Sequence, residues 1–428
     1  MDTSKPHPNP CRIIGILDNG AEGLTPQALR LLRRADLVIG GTRALTLFSG
    51  EFAAGAKTRD LTGQLARIPH WIREAQEEGR RVVVLATGDP LCHGIAGFLQ
   101  AHLCIKACEI LPNVSMAQLA CARLGIPWQD MKILSTHGPD TGEWRKEAGP
   151  AHGLYSLLRA VARHDRIAIY TSPDNGPDRI ARLLAAEGFG GDFRLAVAER
   201  LLRQNERVFA DRSVSDVANG RFADPNILLL WRTEPRRREV PFGLADTTYH
   251  QRKNLITKRE TRAVSLARLQ LRADSIVWDI GAGSGAVGLE AARLCPDGHV
   301  YAIEKNVDNC ANITHNRKGL RIVNYTLTHG KAPEGIEDWP NPDAVFIGGS
   351  GGELTRLVRL CMERLKSGGW LVINFVTLEN LATGIGVLQK MDAAWDVSQI
   401  GVSRGRPILD MHRLVAETPI WIVCAQRP

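Results

Sequence analysis

The sequence predicts an α/β protein built from two domains in series. Three observations predict it. Apolar runs of strand length alternate with helix-length stretches, the alternation stalls once between Arg232 and Tyr249, and it restarts ahead of a glycine-rich turn, Asp279-Ile280-Gly281-Ala282-Gly283-Ser284-Gly285. Strand and helix in alternation is the pattern of sheets whose parallel strands are joined by covering helices.

In the first half, strands are expected at Arg12–Leu17, Leu37–Ile39, Val82–Ala86, Ile167–Tyr170 and Ile227–Trp231, in largely parallel sheets. Helices such as Pro26–Arg34 and Trp71–Glu78 lie between them. The stalled segment holds Pro235, the run Arg236–Arg238, Pro241 and Gly243. Proline and glycine interrupt regular structure, so the linker is placed there, with domains at 1–235 and 245–428. In the second half, strands are expected at Ile276–Ile280, Val300–Glu304, Arg321–Leu327, Ala344–Ile347 and Trp370–Phe375, with a late strand from Pro419 to Cys424.

Composition sets bounds on function. The chain has 428 residues, 44% of them hydrophobic and 23% charged, as in globular proteins with sizeable cores. No apolar run approaches the ~18 residues that cross a bilayer, and Met1–Pro10 lacks the apolar stretch of a signal peptide. A cytoplasmic protein with no membrane partner is expected. Nine cysteines include no Cys-x-x-Cys pair, and Cys104 and Cys108 have no second pair at metal spacing. Reduced thiols and no metal site follow. The net charge of +8 favours anionic partners. Basic residues are dispersed, however, except around Arg232–Arg238 and Arg252–Arg259. No aromatic–basic stripe of the kind single-strand binders use is present, so no nucleic-acid partner is expected.

The glycine-rich turn carries the chemistry. A strand that turns into a helix through glycines lets a ligand approach the backbone and meet unpaired N–H groups at the helix start. Glu304 ends the next strand, where a carboxylate can accept hydrogen bonds from ribose hydroxyls. The pattern fits two ligands, because Gly281, Gly283 and Ala286 also satisfy the Gly-x-Gly-x-x-Ala of dinucleotide sites. Three features favour S-adenosylmethionine and a Rossmann-like class I methyltransferase. Asp279 before the turn suits an ammonium better than a pyrophosphate. Leu365–Trp370 makes a tight turn before the fifth strand. Gly348-Gly349-Ser350-Gly351-Gly352 follows the fourth, at the sheet edge that faces substrate.

Taken together, Ile256–Arg262, Trp278–Gly285, Tyr301–Glu304 and Val345–Gly352 resemble the cobalamin-pathway methylases that act on precorrin-6Y, over most of residues 250–428. The resemblance implies that Thr257 contacts the cofactor from a covering segment. Gly281, Ala282, Gly283, Ser284 and Gly285 would wrap its methionine part, Glu304 would hold the ribose, and Ala332 would lie beside the adenine. Arg404 and Arg406 would meet substrate carboxylates, which arginine pairs well with. Thr257 has a plainer reading too, as the cap of the helix that starts there, with Glu260 completing a capping box.

In the first half, Val82–Ala86 ends in Thr87-Gly88-Asp89-Pro90-Leu91, a tight turn at a sheet's carboxyl edge. Gly15-Ile16 closes the first strand and leads through Gly20 and Gly23 to Leu24-Thr25-Pro26. Leu111–Met116 precedes a helix ending near Leu124–Trp128. In this order the segments resemble the tetrapyrrole methylase family over roughly residues 11–231. That implies two α/β subdomains with S-adenosylmethionine in the cleft between them, and Gly88, Asp89, Pro90, Ser115 and Met116 as its contacts. The loop after the first strand departs from the family. Gly15-Ile16-Leu17-Asp18-Asn19-Gly20 stands where many members carry Gly-x-Gly-Pro-Gly, and its role is left open. His137, in Ser135-Thr136-His137-Gly138, is a candidate for substrate contact, against the plainer reading of a satisfied histidine. His93 reads as a residue that follows the turn.

A tetrapyrrole methylase fused to the second methylase resembles the family of decarboxylating C5,15-methyltransferases of precorrin-6Y. The resemblance implies a tetrapyrrole substrate and a homo-oligomer. The first half would methylate C-5; the second would methylate C-15 and promote loss of carbon dioxide from an acetate side chain. The macrocycle carbons are enamine-like and already nucleophilic, so alignment matters more than a strong base, and alignment can contribute up to ~7–11 kcal/mol. No catalytic residue or proton donor is assigned. Other readings are an RNA methyltransferase, an NAD-dependent oxidoreductase, and a one-site methylase whose first half is not catalytic. Against the RNA reading, the fourth strand ends Ile347-Gly348-Gly349 rather than in an Asn/Asp-Pro-Pro-Tyr motif.

Overall fold

A computed structural model describes residues 9–103, 107–146, 148–235, 242–252 and 255–428. The Arg236–Arg238 run expected in the linker and Cys104 lie outside these residues. The described chain divides into two compact units, Met1–Arg145 with His164–Pro235, and Lys146–Arg163 with Arg236–Pro428.

The first unit opens with a five-stranded sheet. Its strands are β1 (Cys11–Ile16), β2 (Leu37–Gly40), β3 (Lys57–Asp60), β4 (Val82–Thr87) and β5 (Cys108–Leu111), in the order β3-β2-β4-β1-β5 and all parallel. Four helices connect them, α1 (Pro26–Leu32), α2 (Thr42–Leu47), α3 (Ile68–Glu77) and α4 (Ile95–Leu103). Parallel strands covered on both faces read as unbroken apolar runs, and β2 and β4 are buried along almost their whole length. Thr25 caps α1 by accepting from the Ala28 N–H, with Pro26 at the first helical position, so this helix start was legible in advance.

Helix α5 (Met116–Leu124) leads to a second sheet. It contains β6 (Lys132–Ser135), β7 (Arg166–Tyr170), β8 (Phe193–Glu199), β9 (Arg207–Ser213) and β10 (Asn226–Arg232), ordered β6-β7-β10-β8-β9. Between β6 and β7 the chain forms α6 (Tyr155–Arg163). Helices α7 (Pro177–Ala186) and α8 (Val214–Ala218) follow β7 and β9. Only β6 and β7 are parallel; β7-β10, β10-β8 and β8-β9 are antiparallel. The expectation of largely parallel sheets fails here. Strands β8 and β9 are joined by a short turn, which permits only antiparallel pairing, and β9 is too polar to stand out as a strand.

The second unit holds α9 (Arg259–Arg268), β11 (Ile276–Ile280), α10 (Ala286–Leu294), β12 (His299–Glu304), α11 (Val307–Gly319), β13 (Tyr325–His329), β14 (Ala344–Ile347), α12 (Leu354–Arg364), β15 (Trp370–Phe375) and α13 (Leu378–Lys390). Strands β16 (Ala394–Ile400), β17 (Ser403–Ile408), β18 (Met411–Ala416) and β19 (Ile420–Gln426) complete it. Its seven-stranded sheet runs β13-β12-β11-β14-β15-β19-β16, with β19 antiparallel to both neighbours. The strand order reverses beside β11, where open α/β sheets bind ligands beyond their carboxyl ends. Strands β17 and β18 form a separate two-stranded ribbon. The expected strand at Arg321 begins later, at Tyr325, because Arg321 sits at φ +52 in the turn that ends α11.

Helix α6 belongs to this second unit, which a cut at 235 does not capture. The Tyr155 hydroxyl lies 2.7 Å from His299 Nδ1, while His299 Nε2 lies 2.8 Å from the Thr326 hydroxyl. Arg163 pairs with Asp297 at 2.5 Å. Among the described residues no helix is long and apolar enough to cross a membrane. The described cysteines are free thiols, with Cys11, Cys121, Cys295, Cys361 and Cys424 buried.

Candidate functional site

The turn between β11 and α10 holds three glycines in the left-handed region, Gly281 (φ +69), Gly283 (φ +60) and Gly285 (φ +77). They do different jobs. A β-carbon on Gly281 would collide with the Gly349 carbonyl oxygen and lie 2.8 Å from the Gly349 nitrogen. The close approach at Gly281 is therefore loop against loop, between the ends of β11 and β14. A β-carbon on Gly285 would press on Ile313 at 3.1 Å. Only Gly283 faces open space, with nothing within 4 Å of that position. Ala282 donates its N–H to the Ile303 carbonyl at 3.2 Å. Ser284 is buried, and its carbonyl accepts from Asn316 Nδ2 at 2.9 Å. The same Asn316 side chain holds both polar groups of the His250 backbone, tying the segment before α9 to the turn.

Glu304 ends β12 with its carboxylate buried and aimed. Oε2 accepts the Gly283 N–H and Oε1 the Asn306 N–H, each at 2.8 Å. Asp279 is different from expectation. Its side chain turns inward, with Oδ2 accepting the Gly288 N–H of α10 at 3.1 Å and Oδ1 buried without a partner. Burial, then the nearby Glu304 charge, pushes the Asp279 carboxyl up to about 7.

A pocket at this sheet edge brings Gly281, Glu304 and Ala332 together with Lys305, Lys331 and Gly349–Gly351. Neither lysine was singled out in the sequence. They follow Glu304 and Gly330 directly and line the pocket from exposed positions, with Lys331 paired to Glu353 at 3.1 Å.

Thr257 lies before α9, but it does not cap that helix. The residue at the cap position is Lys258, with no side-chain cap. With Lys258 at the cap, Glu260 is the second helical residue rather than the third, so no capping box forms; its carboxylate oxygens instead accept from Arg404 at 2.6 and 3.1 Å. The Thr257 carbonyl instead accepts from Arg262 Nη1 at 2.5 Å. Arg404 also pairs with Glu417 at 2.6 Å. Two carboxylates of its own chain already neutralise it, which removes the reason to expect it on a substrate carboxylate. Arg406 is exposed, has no ion pair among the described residues, and stands directly across the β17–β18 ribbon from Arg413. Like charges so placed repel, and an anion between them would relieve the repulsion.

In the first unit, the ends of β1, β4 and β5 converge. A β-carbon on Gly15 would lie 2.7 Å from the Asn113 nitrogen and collide with the Gly88 carbonyl. Asn113 Nδ2 donates to the Gly15 carbonyl at 3.1 Å and the Gly23 carbonyl at 2.8 Å, tying the segment after β5 to the loop after β1. Gly88 (φ +70) sits against Ser115 and Met116, so the structure brings these expected contacts together. Pro90 is buried, and Asp89 Oδ1 accepts the Leu91 N–H at 2.9 Å, which fixes the turn. The Ser115 hydroxyl is spent on a capping box with Gln118 at the start of α5, and it is the Ser115 backbone that approaches Gly88. Tyr170, at the end of β7, lies 3.6 Å from Cys92 Sγ and accepts from the Ala117 N–H at 3.4 Å. His93 (φ +53) packs against the Tyr170 ring, with Nε2 3.3 Å from the Ile133 carbonyl. His137 Nδ1 lies 2.9 Å from the Ser135 hydroxyl. Desolvation, then the His93 charge, holds the His137 imidazole below the ordinary histidine value.

Two families match the chain. One is described as tetrapyrrole (corrin/porphyrin) methylases and covers residues 11–214; the other is the precorrin methyltransferase domain, covering residues 248–427. A precorrin-6Y C(5,15)-methyltransferase (decarboxylating) from Sinorhizobium sp. is 32% identical over 92% of this chain and 91% of its own. A cobalt-precorrin-6B C(15)-methyltransferase (decarboxylating) from Salmonella typhimurium is 35% identical over 40% of this chain and 89% of its own. From the same organism, a cobalt-precorrin-7 C(5)-methyltransferase is 33% identical over 46% of this chain and 87% of its own.

Proposed function

The chain belongs to the precorrin-6Y C5,15-methyltransferase (decarboxylating) family, and from that membership we propose how its two halves divide the work. It is a methyltransferase of cobalamin biosynthesis that acts on precorrin-6Y at C-5 and C-15 and removes carbon dioxide. The observation that carries this is the match to a relative of the same activity along nearly the whole of both chains. The tetrapyrrole-methylase half methylates C-5. The second half methylates C-15 and promotes decarboxylation of an acetate side chain. Relatives with one or the other activity exist as separate, shorter proteins, which supports this division.

S-adenosylmethionine is the methyl donor assigned to both halves. The second-unit pocket suits it in three ways. Gly283 leaves open space beside a glycine backbone. The Glu304 carboxylate is held by two backbone N–H groups and keeps lone pairs for a ribose diol. Ala332 and the Gly349–Gly351 loop leave room for a flat ring. In the first unit, Gly88, the backbone of Ser115 and Met116, and the Asn113-braced loop after β1 would hold it. When bound it supplies an electrophilic methyl group on a sulfonium. The chain's own part is to align the meso carbon and exclude water. For decarboxylation it must also hold the acetate out of the ring plane and deliver a proton to the carbon left behind.

The test uses the full chain. Calorimetry with S-adenosylhomocysteine should show two sites, one lost in Glu304→Gln and the other in Gly88→Val. Product from precorrin-6Y should gain two methyl groups and lose one carbon dioxide. A single site, or a product with one methyl, would sink the two-site reading.

A further inference from the structure

The loop after β1, where the sequence departs from the family's glycine-rich pattern, places Asp18 between two arginines. Its side chain is 10% exposed. Asp18 Oδ2 accepts from Arg203 Nε at 2.5 Å, and Oδ1 faces the Arg43 guanidinium. Arg43 comes from α2 and also donates to the Thr87 hydroxyl at 3.0 Å, one residue before Gly88. Arg203 comes from the β8–β9 turn, so the three residues stand next to the Thr87–Gly88 turn, where the cofactor of the first unit is proposed to bind.

The charges do not balance. Two guanidiniums face one carboxylate, and Arg203 Nη2 is buried with no hydrogen-bond partner among the described residues. Burial, then the Arg203 charge, lowers the Arg43 pKa from its ordinary value, as expected where positive charge is in excess. The turn that delivers Arg203 is also strained. Arg200 (φ +51) and Leu202 (φ +65) both sit in the left-handed region, which side chains beyond glycine rarely adopt. The turn is held there by Arg200 Nε on the Asp224 carbonyl at 3.1 Å and by the Leu202 N–H on Glu206 at 2.6 Å. Strain held in place next to the proposed cofactor site points to a functional position for Arg203.

We propose that Arg43 and Arg203 form a carboxylate site for the macrocycle in the C-5 half, and that a substrate side-chain carboxylate takes the place Asp18 now fills. A guanidinium fork matches a carboxylate in two-point contact, and a tetrapyrrole bearing acetate and propionate groups presents several. The inference rests on the functional reading above.

The experiment titrates the full chain with precorrin-6Y by absorbance, and with S-adenosylhomocysteine by calorimetry. Arg203→Gln should weaken tetrapyrrole binding about tenfold, the loss of one charge-assisted contact, and Arg203→Lys should weaken it less. Asp18→Asn should tighten it about threefold by removing the competing anion. S-adenosylhomocysteine should bind all variants as it binds the unaltered chain. A merely structural latch predicts that Asp18→Asn and Arg203→Gln weaken binding alike, and that result would overturn the proposal. So would unchanged tetrapyrrole binding in both variants, or weakened S-adenosylhomocysteine binding in Arg203→Gln. If Arg203→Gln does not fold, the opposite signs expected for Arg203→Lys and Asp18→Asn still decide. Failure of the unaltered chain to bind precorrin-6Y overturns the functional reading instead.

Discussion

Arg262 and Glu290 form a fully buried ion pair, Nε to Oε1 at 2.8 Å, with no exposed surface on either side chain. Glu290 also accepts from the Tyr249 hydroxyl and from the Gly243 and Leu244 N–H groups. Arg262 reaches the Leu244 and Thr257 carbonyls and Asp246, with its guanidinium over the Tyr249 ring. One pair thus pins Gly243–Tyr249 and Thr257 onto α9 and α10.

Removing one charge should release that segment. Glu290→Gln leaves the buried arginine with only the partly exposed Asp246 as counter-ion, a loss of up to about 3–5 kcal/mol. The unfolding transition of the second unit should fall to lower urea, and S-adenosylhomocysteine should bind more weakly in the pocket beside Glu304. Replacing both residues, Arg262→Met with Glu290→Leu, should recover part of the stability, because the buried lone charge is gone while the Gly243, Leu244 and Tyr249 donors stay unpaired. If the double variant is as unstable as the single one, the pair is not the cause.

The glycines of the turn should separate folding from binding. Gly281→Ala sets a β-carbon against the Gly349 backbone as well as forcing a left-handed residue, a loss of about 2–4 kcal/mol. Gly283→Ala meets no protein atom and should lose only about 1–2 kcal/mol. It should nonetheless weaken S-adenosylhomocysteine binding by about tenfold or more, because its methyl enters the space proposed for the ligand. Thermal melts and calorimetry on the two variants check this. Equal binding by Gly283→Ala and the unaltered chain would remove Gly283 from the site.

The legibility of the sequence followed burial. Strands β11, β14 and β15 have the ends expected of them, because strands covered on both faces are apolar runs broken here only by Asp279 and Asn374. The ribbon β17–β18 is exposed along nearly its whole length, and its polar residues carry no period that marks a strand. Site residues divide in the same way. Backbone-driven positions such as Gly88, Gly281 and Glu304 follow from local turn chemistry. The partners that hold them do not. Asn113 and Asn316 read as ordinary asparagines until the fold brings Gly15 and His250 to them. The Glu260–Arg404 pair joins residues 144 positions apart, so Glu260 read alone suggested a helix cap.

Asp279 should leave a signature in pH. Burial raises its carboxyl to about 7 in the folded chain, against about 4 when unfolded. Between those values the folded state holds a proton that the unfolded state has lost. Its contribution to stability is therefore greatest below pH 4, falls as pH rises, and is gone above about 7. Asp279→Asn cannot titrate. The stability of the unaltered chain minus that of the variant should decline from pH 4.5 to 7 and then level off, as read by urea unfolding without ligand. A difference that is flat across this range would mean that Asp279 is ionised throughout.

Arg404 and Arg406, two positions apart on one strand, should behave differently when removed. Arg404 is tied to Glu260 and Glu417, both partly exposed, and such pairs contribute about 0–1 kcal/mol each. Arg404→Ala should therefore lower stability by about 1 kcal/mol and leave KM for the tetrapyrrole nearly unchanged. Its hydrogen bonds hold the Glu260 carboxyl below the ordinary range, so this contribution is present above the usual glutamate pKa and is lost as pH falls through the lowered one. Arg406 faces Arg413 across the ribbon, with no carboxylate on either among the described residues. Arg406→Ala removes a like-charge repulsion, so the fold should be no less stable. If the ribbon meets substrate, KM for precorrin-6Y should rise about tenfold, with C-5 methylation by the other half unaffected. Steady-state assays that follow each methylation separately distinguish the two arginines. A raised KM in Arg404→Ala but not in Arg406→Ala would reverse the assignment, and would mean that Glu260 and Glu417 only hold Arg404 until substrate displaces them.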